Sequence, residues 1–565
     1  MCAALLALLL STRAVSPEGA VATAHPLASE AAAQVLRDGG NAVDAAVAGA
    51  LVLSVVEPQS SGLGGGGFAL VWLARERRAR VLDFREVAPA AASADMYTRP
   101  GLPPTPSLDG ALAVAVPGAV KGYAELARRF GSMPLARLAE PAALIAERGF
   151  RIGHVYAERA RDRAACLRDG GAAAEFLVRA GAPAGEGPST GGARGSVSWA
   201  VPAPGARLVR EDLARTLRAL GKDPDDFYRG RLARRVADAV RARGGILTAE
   251  DLARYRVRER APLEGHYRGY RVITMPPPSA GGAIVLGILG ALEPEQPRAG
   301  GYRPDRYLHV FIEAEKRLFA RRAAFFGDPD QVKGVREEAE AMASPAFAKS
   351  LHAEIGERAT PAAELVIDAG AGGRSHLSVV DRDGNAVALT TTVNYYFGSC
   401  VLVPGTGILL NDEMDDFATS AGAPDAHERT ARGRNAVAPG RIPVSSMAPT
   451  LVFEPGGRLA MALGAAGGPR IPAAVAQAIL HVVDDGMQLD EALAAPRLHS
   501  QYTPDVVLVE PNGLDAATAR QLQARGHVLQ YTPSRWANAH AAGIAASGMR
   551  EAAADPRYEG EAAAP

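Results

Sequence analysis

Residues 41–58, NAVDAAVAGALVLSVVEP, constrain the fold more than any other stretch of this 565-residue chain. Read as a helix, the segment is apolar on every side and has no polar stripe to turn to water. A helix of that kind is buried. Pro58 helps to end it. The preceding segment, HPLASEAAAQVLRDGG, reads as a first helix with Gly39 and Gly40 at its C-terminal end. Hydrophobic residues make up 48% of the chain and charged residues 22%, the balance of an ordinary globular protein.

A glycine run follows, SGLGGGG from Ser61 to Gly67. Gly62, Gly64 and Gly67 satisfy GxGxxG, but a dinucleotide site needs a strand before the motif and a helix after it. Here a helix precedes it, and FALVWLA and VLDFRE read as two strands around the charged turn RERRAR. The context argues against a Rossmann site, and the glycines read as positions of close backbone packing. From about Ala113 to Gly327 the pattern is mostly helical, as in GYAELARRFG, LARLAEPAALIAERGF and YLHVFIEAEKRLFARRAAFFG. A polar, glycine-rich loop near 170–205 interrupts it.

After Pro361 the signal turns to β. HLSVVD-RDGN-AVALTTTV predicts a hairpin, with Asp383, Gly384 and Asn385 supplying the turn. Further strands are expected in GILL, in APTLVFEPGGRLAMALGA and in DVVLVE, with a helix near 473–484 and a frayed end at EAAADPRYEGEAAAP. This order suits a layered architecture.

Charge excludes some partners. The chain has 62 basic and 62 acidic side chains, so no net field attracts a nucleic acid. Cys2, Cys166 and Cys400 form neither a CxxC motif nor a disulfide framework, and no Cys–His cluster suggests a metal. No apolar run approaches a membrane span. The run CAALLALLL from Cys2 to Leu10 lacks a basic n-region. It reads either as a truncated export signal, which would make the protein periplasmic or extracellular, or as a short first helix in a cytoplasmic one.

Eight segments in order carry a resemblance: VEPQSSGLGGGGF, DFRE around Arg85, MPPPSAGG, SHLSVVDRDGNAVALT, VNYYFGS, GILLNDEMDDF, PVSSMAPT and LGAAGGPR. With them the chain resembles the γ-glutamyltransferases (glutathione hydrolases) from about Gly19 to Val509. The resemblance implies an α+β fold, the four-layer αββα sandwich of N-terminal-nucleophile hydrolases with a large helical portion. Members of that family cut themselves into two subunits. The implied division is residues 1–18 as a truncated signal segment, 19–373 as large-subunit-like and 374–565 as small-subunit-like. No cofactor and no metal are implied, and the implied ligands are small γ-glutamyl compounds.

The chemistry of such a site assigns roles. An α-carboxylate wants a planar bidentate partner, and Arg85 stands in the family's position for it. An α-ammonium wants carboxylate and amide oxygens, and Asn394, Glu413 and Asp416 match those positions. Glu413 and Asp416 are three apart, so one helical turn would align them. Neighbouring Asp412 and Asp415 read as a solvated turn. Ser445 and Ser446 resemble the pair that holds the α-carboxylate. Gly467 and Gly468 resemble the peptide donors of an oxyanion hole. Thr392 resembles the second threonine that orients the nucleophile.

One position departs from the family. Where it keeps a threonine before Ser/Thr-His, this chain reads Gly373-Arg374-Ser375-His376. Counting back from His376 puts Arg374 on the nucleophile. Arginine has no hydroxyl and stays protonated, so neither self-cleavage nor acyl transfer is expected there. Ser375 is the substitute at hand, but in a strand neighbouring side chains point to opposite faces, so Ser375 is expected to face away unless a bulge intervenes. Two readings result: an unprocessed binder of γ-glutamyl compounds, catalytically impaired, or an active γ-glutamyl hydrolase or transferase using Ser375. An amidase or acylase on the same scaffold ranks below both. In the favoured reading Arg374 either folds into the empty pocket to pair with Asp416 or Glu413, or points to solvent.

Overall fold

The computed structural model describes residues 12–180, 198–297, 304–362, 373–418 and 433–565. The helix Ala42–Val56 is buried along its whole length, as its composition requires. Asn41 caps it, accepting from the Val43 and Asp44 amides, while Asp44 returns a bond to the Asn41 amide. With the helix Pro26–Arg37 it covers one face of a seven-stranded antiparallel sheet. The strand order there is Glu561–Ala563, Gly19–Thr23, Gly373–Asp381, Ala386–Asn394, Gly66–Leu73, Arg78–Asp83 and Arg258–Arg260.

A second seven-stranded sheet packs on the other face. Its order is Arg13–Ser16, Arg550–Ala554, Asn538–Ile544, Leu459–Ala466, Thr450–Phe453, Tyr270–Thr274 and Leu263–Tyr267. The helices Gly281–Leu292 and Ile471–Val483 close the far side. The layers are therefore helix, sheet, sheet, helix. Two cores follow from the period-two alternation of the strands. Leu377, Val379, Val387 and Leu389 pack with the first helical layer, whereas Val380, Ala386 and Ala388 join the core between the sheets.

The predicted hairpin forms between Gly373–Asp381 and Ala386–Asn394. Asp381 holds its turn by accepting from the Asp383 and Asn385 amides, and Gly384 takes a φ of 82°. The glycine run is packed against backbone: a Cβ on Gly64 would strike Leu409 O and one on Gly65 would strike Thr392 O. Two expectations need correction. The C-terminal residues are not frayed, since Arg550–Ala554 and Glu561–Ala563 each pair into one of the two large sheets. Cys166 and Cys400, 234 residues apart, form a disulfide. Arg13–Ser16, within the stretch set apart as a leader, pair with Arg550–Ala554; residues 1–11 lie outside the described residues, as do residues 181–197 of the glycine-rich loop. Among the described residues no helix is long and apolar enough to cross a membrane.

Candidate active site

Arg85 follows the strand Arg78–Asp83, whose last residue accepts from the Arg85 amide at 3.0 Å. Its side chain is fully buried. It does not pair with Glu86, the neighbour a surface role would use. Instead Nη1 meets Glu413, and Nη2 donates to Asp416 Oδ2 at 2.6 Å. Nε and Nη2 also donate to the Pro443 and Val444 carbonyls at 3.3 and 3.2 Å, directly before Ser445 and Ser446.

Glu413–Asp416 is a single 3₁₀ turn, in which residues three apart eclipse, so both carboxylates present to one guanidinium. Asp412 is fully buried, not solvated as expected, because it accepts from the Tyr395 amide at 2.9 Å. Asp415 takes the Ser107 hydroxyl at 2.5 Å. The Ser445–Ser446 segment is held by the MPPPSAGG loop: Ser445 N donates to Pro278 O, and Ala280 N donates to Ser445 O. Asn435, which sequence reasoning missed, ties the two halves of the pocket. It donates to Asp416 O at 2.8 Å and accepts from Val444 N at 3.1 Å.

Arg374 enters from the start of the Gly373–Asp381 strand. The pairing Gly373 with Asn394 and Arg374 with Thr392 leaves Val393 unmatched, a bulge at this point. Arg374 is only 6% exposed. Its Nη2 donates to Asp416 Oδ2 at 3.2 Å and to Asn394 Oδ1 at 3.4 Å. Both are long for a charge-assisted bond, so Arg85 at 2.6 Å is the stronger partner of Asp416. The side chain is buried against this cluster and does not point to solvent.

The bulge does not turn Ser375 to that pocket. Its hydroxyl points to the helical layer, donating to Glu57 Oε2 at 2.5 Å, with Ser61 Oγ 3.3 Å away. Burial pushes the Glu57 carboxyl up to about 8, with Ser375 opposing and Glu559 adding. At neutral pH Glu57 is mostly protonated, and a protonated carboxyl is no base for Ser375.

Thr392 donates to the Gly373 carbonyl at 2.8 Å and accepts from the Asn394 amide at 2.7 Å. The carbonyl before residue 374 is therefore already polarised. Gly467 and Gly468 end the strand Leu459–Ala466 with φ of 144° and 60°, the left-handed region that favours glycine. A Cβ on Gly467 would also crowd Ala537. No hydrogen bond among the described residues joins these glycines to the Arg85 cluster.

Charge in the cluster is unevenly shared. Burial raises Asp416, but Arg85 and then Arg374 outweigh it and hold the carboxyl below its ordinary value. Burial outweighs Arg85 at Glu413 and pushes it up. Glu86, buried beside Glu413, is pushed well above the carboxylate range. Arg322, from the helix Asp305–Phe325, was also missed. Burial lowers its affinity for a proton while it feels Asp416, Arg374 and Arg85.

Two facing sheets between helical layers, with this hairpin at the pocket, define an N-terminal-nucleophile hydrolase fold. The family model described as gamma-glutamyltranspeptidase matches residues 28–565. A glutathione hydrolase proenzyme of Pseudomonas sp. (strain A14) is 38% identical over 523 residues, 90% of this chain and 86% of that protein. The glutathione hydrolase proenzyme of Escherichia coli (strain K12) is 36% identical, over 90% of this chain and 85% of its own. The crystal structure of a cephalosporin acylase from Bacillus halodurans superimposes with a TM-score of 0.83 at 28% identity, covering 100% of this chain and 99% of that one. The chain belongs to the gamma-glutamyltranspeptidase family.

Proposed function

We propose that this chain is an unprocessed family member that keeps a glutamyl-binding pocket for glutathione-like compounds and lacks the nucleophile to turn them over. The observation that carries the reading is Arg374 itself: a guanidinium, not a hydroxyl, reaches Asp416 and Asn394 from the nucleophile position. Arg85 and the Ser445–Ser446 segment supply the carboxylate end, and Glu413, Asp416 and Asn394 supply the ammonium end, which Arg374 now occupies. The rival reading, an active γ-glutamyl hydrolase or transferase using Ser375, requires Ser375 to leave the helical face and Glu57 to ionise. An exported location fits the Cys166–Cys400 disulfide, since such bonds persist in oxidising compartments.

Arg374→Thr tests the reading. The new hydroxyl oxygen would bond to the Gly373 carbonyl carbon as the C–N bond between residues 373 and 374 breaks. The freed nitrogen takes the hydroxyl proton, and water then hydrolyses the ester. Thr392 already donates to that carbonyl. The expected result is fragments of 373 and 192 residues, with release of glutamate from a γ-glutamyl anilide. A folded variant that neither cleaves nor turns over would mean that more than the nucleophile is lost.

A further inference from the structure

Residues 394–400 tie the pocket to the disulfide, and their backbone is strained. Asn394, Phe397 and Cys400 take φ of 73°, 58° and 60°, the left-handed region that residues other than glycine disfavour. Such a backbone persists only where its surroundings hold it. Arg163 holds the middle, donating from Nε to Tyr396 O at 2.9 Å and from Nη2 to Gly398 O at 3.0 Å. The far end is held covalently, by the bond from Cys400 to Cys166 in the helix Ala164–Asp169. At the near end Asn394 donates from Nδ2 to Asp412 O at 3.2 Å and meets Arg374 through Oδ1.

The two sulfurs differ. Cys166 is half-buried and Cys400 is fully buried, so an external thiol meets Cys166 first. Arg163 Nη2 lies 3.1 Å from Cys166 Sγ and 3.5 Å from Cys400 Sγ. A guanidinium stabilises a thiolate, and a stabilised thiolate leaves faster. Asp109 Oδ1 stands 3.2 Å from Cys166 Sγ and pairs with Arg163 at 2.7 Å. Negative charge left on Cys166 would face that carboxylate at close range, which favours the departure of Cys400.

We propose that the Cys166–Cys400 bond is a thiol-exchange site that governs the pocket wall at Asn394. The thiolate of a small thiol attacks Cys166 Sγ, the S–S bond breaks, and Cys400 leaves as a thiolate beside Arg163 and takes up a proton. A second thiol attacks the mixed disulfide, frees the Cys166 thiol and departs joined to the first. Two external thiols are oxidised and one protein disulfide is reduced. With the covalent hold gone, residues 394–400 relax from the left-handed backbone, and Asn394 loses its place beside Arg374 and Asp412. The exchange does not depend on what the pocket binds.

The test uses the intact, purified chain without denaturant. Mercaptoethanol, followed by an acid quench and mass mapping, is expected to leave its adduct on Cys166 and a free thiol at Cys400. An adduct on Cys400, or a bond that opens only once the chain is unfolded, overturns the site. Dithiothreitol, which completes the reduction, is expected to speed amide hydrogen exchange across residues 394–400 by at least about tenfold, while the buried helix Ala42–Val56 stays unchanged. Cys400→Ser, with no thiol added, is expected to show the same pattern. Unchanged exchange at 394–400 in the reduced wild type overturns the coupling to the pocket. A loss of protection spread evenly over the chain does so too, because simple destabilisation would give that. The wild-type comparison decides even where Cys400→Ser fails to fold.

Discussion

Glu57→Gln should raise stability, and by an amount that depends on pH. Glu57 sits at the C-terminal end of the helix Ala42–Val56, holding the Ser375 hydroxyl at 2.5 Å. Its carboxyl is raised by burial from an ordinary 4.5 to about 8. The unfolded chain therefore gives up this proton near pH 4.5, while the folded chain keeps it until about pH 8. Stability from this group is fully present below about pH 4.5 and is lost as pH rises through about 8. At about 1.4 kcal/mol per pH unit, the loss is roughly 3 kcal/mol at pH 7 and about 4 kcal/mol at pH 8. Glutamine does not titrate, and its carbonyl can still accept from Ser375. With an unfolding entropy of roughly 1.2 kcal/mol/K for a chain of this length, the variant should melt about 2–3 °C higher at pH 7 and about 4 °C higher at pH 8. Near pH 4.5 the two should coincide. Scanning calorimetry of both proteins from pH 5 to 8 reads this directly. Parallel curves, or a variant less stable at pH 8, would refute it. That outcome would also mean that Glu57 is ionised at neutral pH and available as a base for Ser375.

Acid should act through His540, which is buried with both ring nitrogens unpaired among the described residues and lowered by burial to about 4. Its folded value lies below the unfolded one, so stability is fully present above about pH 6.5 and is lost as pH falls toward 4. His540→Leu should lose roughly 2 kcal/mol less than the wild type between pH 7 and pH 5, measured by denaturant unfolding. Equal losses would exclude it. The disulfide makes two further expectations. The denatured, unreduced chain should present one thiol, Cys2, and three after reduction. Cys400→Ser should lower the melting temperature by about 2–4 °C, since a native disulfide contributes about 2–5 kcal/mol; an unchanged melting temperature would exclude that.

The sequence carried the features whose physics is local. The apolar helix at 42–56 is buried because no face of it is polar. The Asp-Gly-Asn turn fixed the hairpin register, and period-two alternation placed Arg374 and Ser375 on opposite faces. Arg85, Glu413 and Asp416 meet although 331 residues separate Arg85 from Asp416. What was not legible depends on distant pairing. Cys166 finds Cys400 only because the fold brings the two segments together, and Arg163 helps by binding the Tyr396 and Gly398 carbonyls. The C-terminal strands are rich in alanine, which blurs the contrast between inward and outward positions, so they read as frayed. Arg322 lies in a helix crowded with charges, where nothing distinguishes a pocket residue from a solvated one. Asn435 acts through backbone groups that no motif marks.

If Arg374 stands where the family keeps its nucleophile, as proposed, the chain stays whole, and the mass of the purified protein, read after denaturation with reductant, shows whether it does. Reduction is essential, because Cys166 and Cys400 lie on opposite sides of residue 374 and would hold cut halves together as one species. A single polypeptide spanning residue 374 is expected under reducing conditions. Two fragments, with a new N-terminus at Arg374 or Ser375, would contradict it.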